Sequence, residues 1–131
     1  MTTANWCVLA ASFMPIATIG LAKIASSRDP QGQGRYDNHQ PREWAKSLRG
    51  WRQRARAAHD NGFEALPVFI AAVLLAQQAH ASQSLVDLLA LGFVSLRLAY
   101  VAAYLLDMGS VRTLVWTGAY AICVGLFALA A

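Results

Sequence analysis

The chain has 131 residues, 56% of them hydrophobic and 14% charged, with a formal net charge of +4 and a mean hydropathy of +0.37. A soluble domain carries about a quarter charged residues, so this composition argues for a membrane protein and against an ordinary water-soluble one, and its length allows one domain. The sequence pI near 9.5 comes from a single loop with no recognisable nucleic-acid module beside it, which argues against nucleic-acid binding.

In chain order, the first apolar segment runs from about Asn5 to Ile24. No Lys or Arg precedes Lys23, and the run is longer than a signal-peptide core, so it reads as a retained anchor. Pro15 inside it leaves the Ala11 carbonyl without its helical partner.

A basic loop of about residues 25–53 follows. The stretch Lys23 to Arg56 holds nine of the eleven Lys and Arg against Asp29, Asp37 and Glu43, a net of +6, whereas the remainder of the chain is −2. Basic loops stay on the cytoplasmic side, and the Gln77–Ser84 connection has no Lys or Arg, so both termini are expected outside the cytoplasm. The loop either reads anionic headgroups or serves only as a topology signal. Gln31 to Gly34 and Asn38 to Pro41 look irregular. Arg42 to Arg56, with Trp44, Leu48 and Trp51, reads as an amphipathic interfacial helix.

Three more helices are expected at about residues 54–79, 85–106 and 111–131. Each has an apolar stretch approaching the roughly 20 residues that cross a bilayer. The alternation that a membrane barrel requires is absent, so the fold class is all-α, an integral membrane four-helix bundle. Pro67 frees the Phe63 carbonyl beside a polar cluster, and Gly92, Gly118 and Gly125 permit close helix approach. Cys7 and Cys123 lie in apolar helices as small hydrophobes, and His39, His59 and His80 are too scattered for a metal site.

Polar residues inside the helices mark the candidate site. Arg54, Asn61 and Glu64 recur at intervals of seven and three on one face, as do Arg97, Tyr100 and Tyr104 at three and four. The helix carrying Tyr104 ends, with Asp107, at the level where the one carrying Arg54 begins, and Arg112-Thr113 starts the last helix at that level too. Arginine forks, an amide and phenols suit an anionic, hydrogen-bonding guest such as a peptide-like or acidic small molecule. Glu64 and Arg97 equally suit a structural ion pair within the bundle. Asp87 is the only acid in the outer half that a polar transport path would have.

The order Arg54, Ala58, His59, Asn61, Glu64, Pro67, followed by Arg97, Tyr104 and Arg112-Thr113 with Trp116, resembles the MAPEG family, the membrane-associated proteins in eicosanoid and glutathione metabolism. Tyr36-Asp37-Asn38 and Pro41-Arg42 are similar to a bacterial branch of it. The resemblance implies a homotrimer of four-helix subunits in a bacterial inner membrane, with three sites between neighbours near the cytoplasmic face. It implies a glutathione-dependent transferase or peroxidase acting on lipophilic electrophiles or lipid hydroperoxides, with glutathione as cosubstrate and membrane lipids around it. Arg54, Arg56, His59, Asn61, Glu64, Tyr100 and Tyr104 would bind glutathione; Arg112 would favour its thiolate, and Thr113 stands where some members have a serine near the sulfur. Ala57 and Asp60 depart from basic residues of some members, and an acid at 60 would repel glutathione's carboxylates. The family also includes a lipid-binding member without catalysis, so a non-catalytic lipid-binding or scaffold protein is the alternative.

Overall fold

A computed structural model describes residues 1–29 and 34–131. Gln31, Gly32 and Gln33, expected in an irregular stretch, lie outside the described residues. Among the described residues there are five helices and no strand: α1 (Thr3–Ser27), α2 (Pro41–Ser47), α3 (Gly50–Gln78), α4 (Gln83–Leu105) and α5 (Gly109–Leu129). The fold is thus all-α, with a short helix, α2, in the basic loop where the amphipathic stretch was expected.

Three of the described helices, α1, α4 and α5, are long and apolar enough to cross a membrane. The fourth long helix, α3, has 29 residues, but its first half carries Arg52, Arg54, Arg56, Asp60, Asn61 and Glu64, so only the half after Glu64 is apolar. Both α1 and α3 run unbroken through Pro15 and Pro67.

The long helices bury small residues, and that is what lets them approach. Ala4, Cys7 and Ala11 of α1, Ala65, Ala72 and Ala76 of α3, Ala90 of α4, and Ala119 and Cys123 of α5 share one core, centred on Phe69 stacked against Phe93 at 3.8 Å. A Cβ on Gly92 or Gly118 would meet Ile122 or Leu96 at 3.1 and 3.2 Å, so both glycines serve the α4–α5 approach; Gly125, with nothing within 4 Å, does not. Trp6, Phe13, Leu88, Leu98, Leu114 and Val124 point outward, the pattern of a lipid-facing surface.

At the basic end the amphipathic stretch folds differently from a single helix over 42–56. α2 stops at Ser47, Leu48 and Arg49 are extended, and Gly50 opens α3 with φ +61. The break lets Trp44 and Leu48 turn back onto Ala22 and Ala55 while Trp51 stays outside. Trp44 Nε1 donates to the Gly34 carbonyl at 2.9 Å, Tyr36 meets the indole edge-on, and Arg52 reaches Asp29 at 3.2 Å to tie the start of α3 to the end of α1.

The α3–α4 and α4–α5 turns share a device. Ala81 N–H donates to the Ala76 carbonyl and His80 N–H to that of Gln77; Met108 and Asp107 repeat this onto Ala103 and Tyr104. These are Schellman caps, with His80 (φ 57) and Asp107 (φ 59) in the left-handed position that usually takes glycine. At the far end, Asp87 accepts from the Ala4 amide and from Gln83, both at 2.8 Å, so this acid closes the start of α1.

Candidate functional site

The interval of seven and three on α3 places Asn61 and Glu64 toward α4, and there they meet Arg97. Arg97 is only 3% exposed, and its Nη1 donates to Asn61 Oδ1 at 3.0 Å. Asn61 Nδ2 in turn donates to Glu64 Oε2 at 3.1 Å. The direct Glu64–Arg97 pair expected from sequence is therefore replaced by a relay. The reason is chemical: an amide both donates and accepts, so Asn61 joins the guanidinium to the carboxylate while Glu64 stays exposed.

From Arg97 the chain of contacts continues through aromatic faces. The Arg97 guanidinium lies 4.3 Å from the Tyr100 ring centre, Tyr100 meets Tyr104 edge-on at 5.5 Å, and the Arg112 guanidinium lies 4.4 Å from the Tyr104 ring. Each ring contact is worth roughly 0.5 to 1.5 kcal/mol. Six side chains from α3, α4 and α5, Glu64 to Arg112, thus form one unbroken series.

The series ends at a recess of about 250 Å³ lined by Tyr100, Tyr104, Arg112, Thr113 and Trp116. The Thr113 hydroxyl donates to the Gly109 carbonyl at 3.2 Å, and Trp116 packs on Tyr120. Exposed Val111 and Leu114 flank these residues on α5. Trp116 was not among the predicted site residues, although its position three after Thr113 on one helix puts it on the same wall. A second crevice, beside Pro15, Gly62 and Arg97, is only about 10 Å³, room for one water at most.

Arg54, Arg56 and His59, predicted as ligands, are met by partners of their own. Arg54 donates from Nε and Nη2 to the Leu105 carbonyl at 3.3 and 3.1 Å, a cation at the C-terminus of α4. Arg56 lies 3.7 Å from Asp60, so the acid that would repel an anionic guest has a cation beside it. His59 Nδ1 donates to the Pro15 carbonyl at 2.9 Å, which fixes the proton on Nδ1 because a carbonyl only accepts. Beside that bond, a Cβ on Gly62 would stand 2.6 Å from Pro15 Cγ, so α1 and α3 touch backbone to ring. That contact joins residues too far apart in sequence for any periodicity to have found it.

Arg112, Thr113, Tyr100 and Tyr104 therefore share one recess, Asn61 and Glu64 stand behind it through Arg97, and Arg54, Arg56 and His59 bind structural partners. In comparison with known proteins, the family described as "MAPEG family" matches residues 3–131. No curated protein and no solved structure matches the chain.

Proposed function

The chain belongs to the MAPEG family and is an integral membrane protein, and from that premise we propose that it is a glutathione-dependent transferase or peroxidase acting on lipophilic electrophiles or lipid hydroperoxides. The observation that carries this reading is the Arg112 guanidinium, braced over Tyr104 on the wall of the recess. The residues present suit the tripeptide: a guanidinium for an anionic sulfur or carboxylate, hydroxyls from Thr113, Tyr100 and Tyr104, and the Glu64 carboxylate for an ammonium group.

A free thiol of pKa about 8.5 is mostly protonated at neutral pH, and a fixed positive charge favours the thiolate. Arg112 supplies that charge; the thiol proton leaves to water. With an electrophile, the sulfur lone pair forms the new S–C bond and the leaving group departs with its electron pair. With a hydroperoxide, the thiolate attacks the terminal oxygen, an S–O bond forms as the O–O bond breaks, and the alkoxide takes a proton from water to leave as the alcohol; a second thiol then attacks the sulfenic sulfur, giving the disulfide and water. Val111 and Leu114 give the second substrate an apolar approach from the bilayer.

In this reading the subunits form a homotrimer in a bacterial inner membrane, the basic end faces the cytoplasm, and both termini lie outside it. The net +6 of Lys23 to Arg56, from the last turns of α1 to the start of α3, supports that orientation. The test is turnover in liposomes with glutathione and either an aryl halide or a lipid hydroperoxide. Wild type is expected to turn over both classes or one of them, and Arg112→Gln to lose about a hundredfold. No thiol chemistry in wild type, with lipid co-purifying in the recess, would instead make it a non-catalytic lipid-binding or scaffold protein.

A further inference from the structure

The arginines of the basic end divide into two groups. Arg49 is spent on the Lys46 and Leu48 carbonyls, Arg52 on Asp29 and Ser26, Arg54 on the Leu105 carbonyl and Arg56 on Asp60. Arg28, at the end of α1, Arg35, beside the Tyr36–Trp44 packing, and Arg42, on the first turn of α2, are exposed and have no acidic partner among the described residues. Lys46 meets only the exposed Glu43, a pair that water largely screens.

These cations stand on a fixed platform. Trp44 and Leu48 anchor α2 on Ala22 and Ala55, so the helix is held with its cationic side outward. The depth matches a membrane surface: α1, with 25 residues, is about 37 Å long, which exceeds the roughly 30 Å hydrocarbon core and carries its last turn to headgroup level. Trp6 and Trp51, both exposed, lie at opposite ends of the bundle, the usual place of indoles at the two interfaces.

We propose that Arg28, Arg35 and Arg42 form a recognition surface for anionic phospholipid headgroups on the leaflet at the basic end. Guanidinium forks match phosphate oxygens in pairs, the chemistry such headgroups present. The surface shares no residue with the recess of Tyr104 and Arg112, so it stands independently of the glutathione reading.

The test uses the full chain, purified in neutral detergent and reconstituted in nanodiscs of phosphatidylcholine with and without phosphatidylglycerol. Wild type is expected to retain phosphatidylglycerol over phosphatidylcholine in native mass spectrometry, and its melting temperature to rise with phosphatidylglycerol content and to fall back in high salt. The R28Q/R35Q/R42Q variant is expected to lose both preferences while keeping wild-type helicity and glutathione binding. Should the triple variant fail to fold, the three single variants, each expected to weaken retention in part, decide the matter. Equal retention of the two lipids by wild type, or undiminished preference in the variants, overturns the proposal. So does an equal stabilisation by inorganic phosphate or by a single-stranded RNA oligonucleotide.

Discussion

Arg97 crosses from α4 to donate to Asn61 Oδ1 at 3.0 Å, and it does so almost wholly buried. A guanidinium in that position needs its acceptor, and the acceptor needs it. Replacing Arg97 with Met leaves Asn61 Oδ1 without its donor and is expected to cost about 1 to 3 kcal/mol. Asn61→Leu strands the guanidinium in the same way. The double variant should lose less than the two losses added, with a coupling of about 0.5 to 2 kcal/mol. Thermal unfolding of the four proteins in one detergent measures it; strict additivity would mean the two side chains do not act as a unit.

Gly62 and Pro15 set how closely α1 and α3 lie. Since a Cβ on Gly62 would stand 2.6 Å from Pro15 Cγ, Gly62→Ala is expected to destabilise by about 1 to 3 kcal/mol. Gly20→Ala has nothing within 4 Å and should instead stabilise by about 0.5 to 1 kcal/mol. Adding Pro15→Ala to Gly62→Ala should recover part of the loss. Melting temperatures that move together for Gly62→Ala and Gly20→Ala would contradict the close approach.

His80 and Asp107 occupy left-handed cap positions at φ 57 and φ 59. Glycine adopts that conformation without a Cβ penalty, so His80→Gly and Asp107→Gly are each expected to raise stability by roughly 0.5 to 1 kcal/mol. Ala at either position should be destabilising. Chemical or thermal denaturation distinguishes the two signs.

Much of this arrangement is legible in the chain, because apolar length and charge placement are one-dimensional signals. The expected 5–24, 85–106 and 111–131 spans each fall within a few residues of α1, α4 and α5, and the shared faces of Asn61 with Glu64 and of Tyr100 with Tyr104 follow from helical spacing. What spacing does not carry is which partner a side chain finds across the bundle. Arg54 and His59 read as ligands from sequence, yet each bonds a backbone carbonyl, Leu105 and Pro15, that no residue letter advertises. The break before Gly50 is hidden for a similar reason: whether Trp44 and Leu48 turn inward depends on Ala22 and Ala55 leaving room beneath them.

The central claim is that Arg112 holds a thiolate in the recess, and the ultraviolet thiolate absorbance of bound glutathione tests it most directly when followed against pH. A neighbouring cation lowers a thiol's pKa, so wild type should show bound thiolate already below the pH range near 8.5 where free thiol ionises, the signal fading only as pH falls through the lowered value. In Arg112→Gln that early signal should be lost. No thiolate signal in wild type at saturating glutathione, or one that Arg112→Gln leaves in place, would contradict the account.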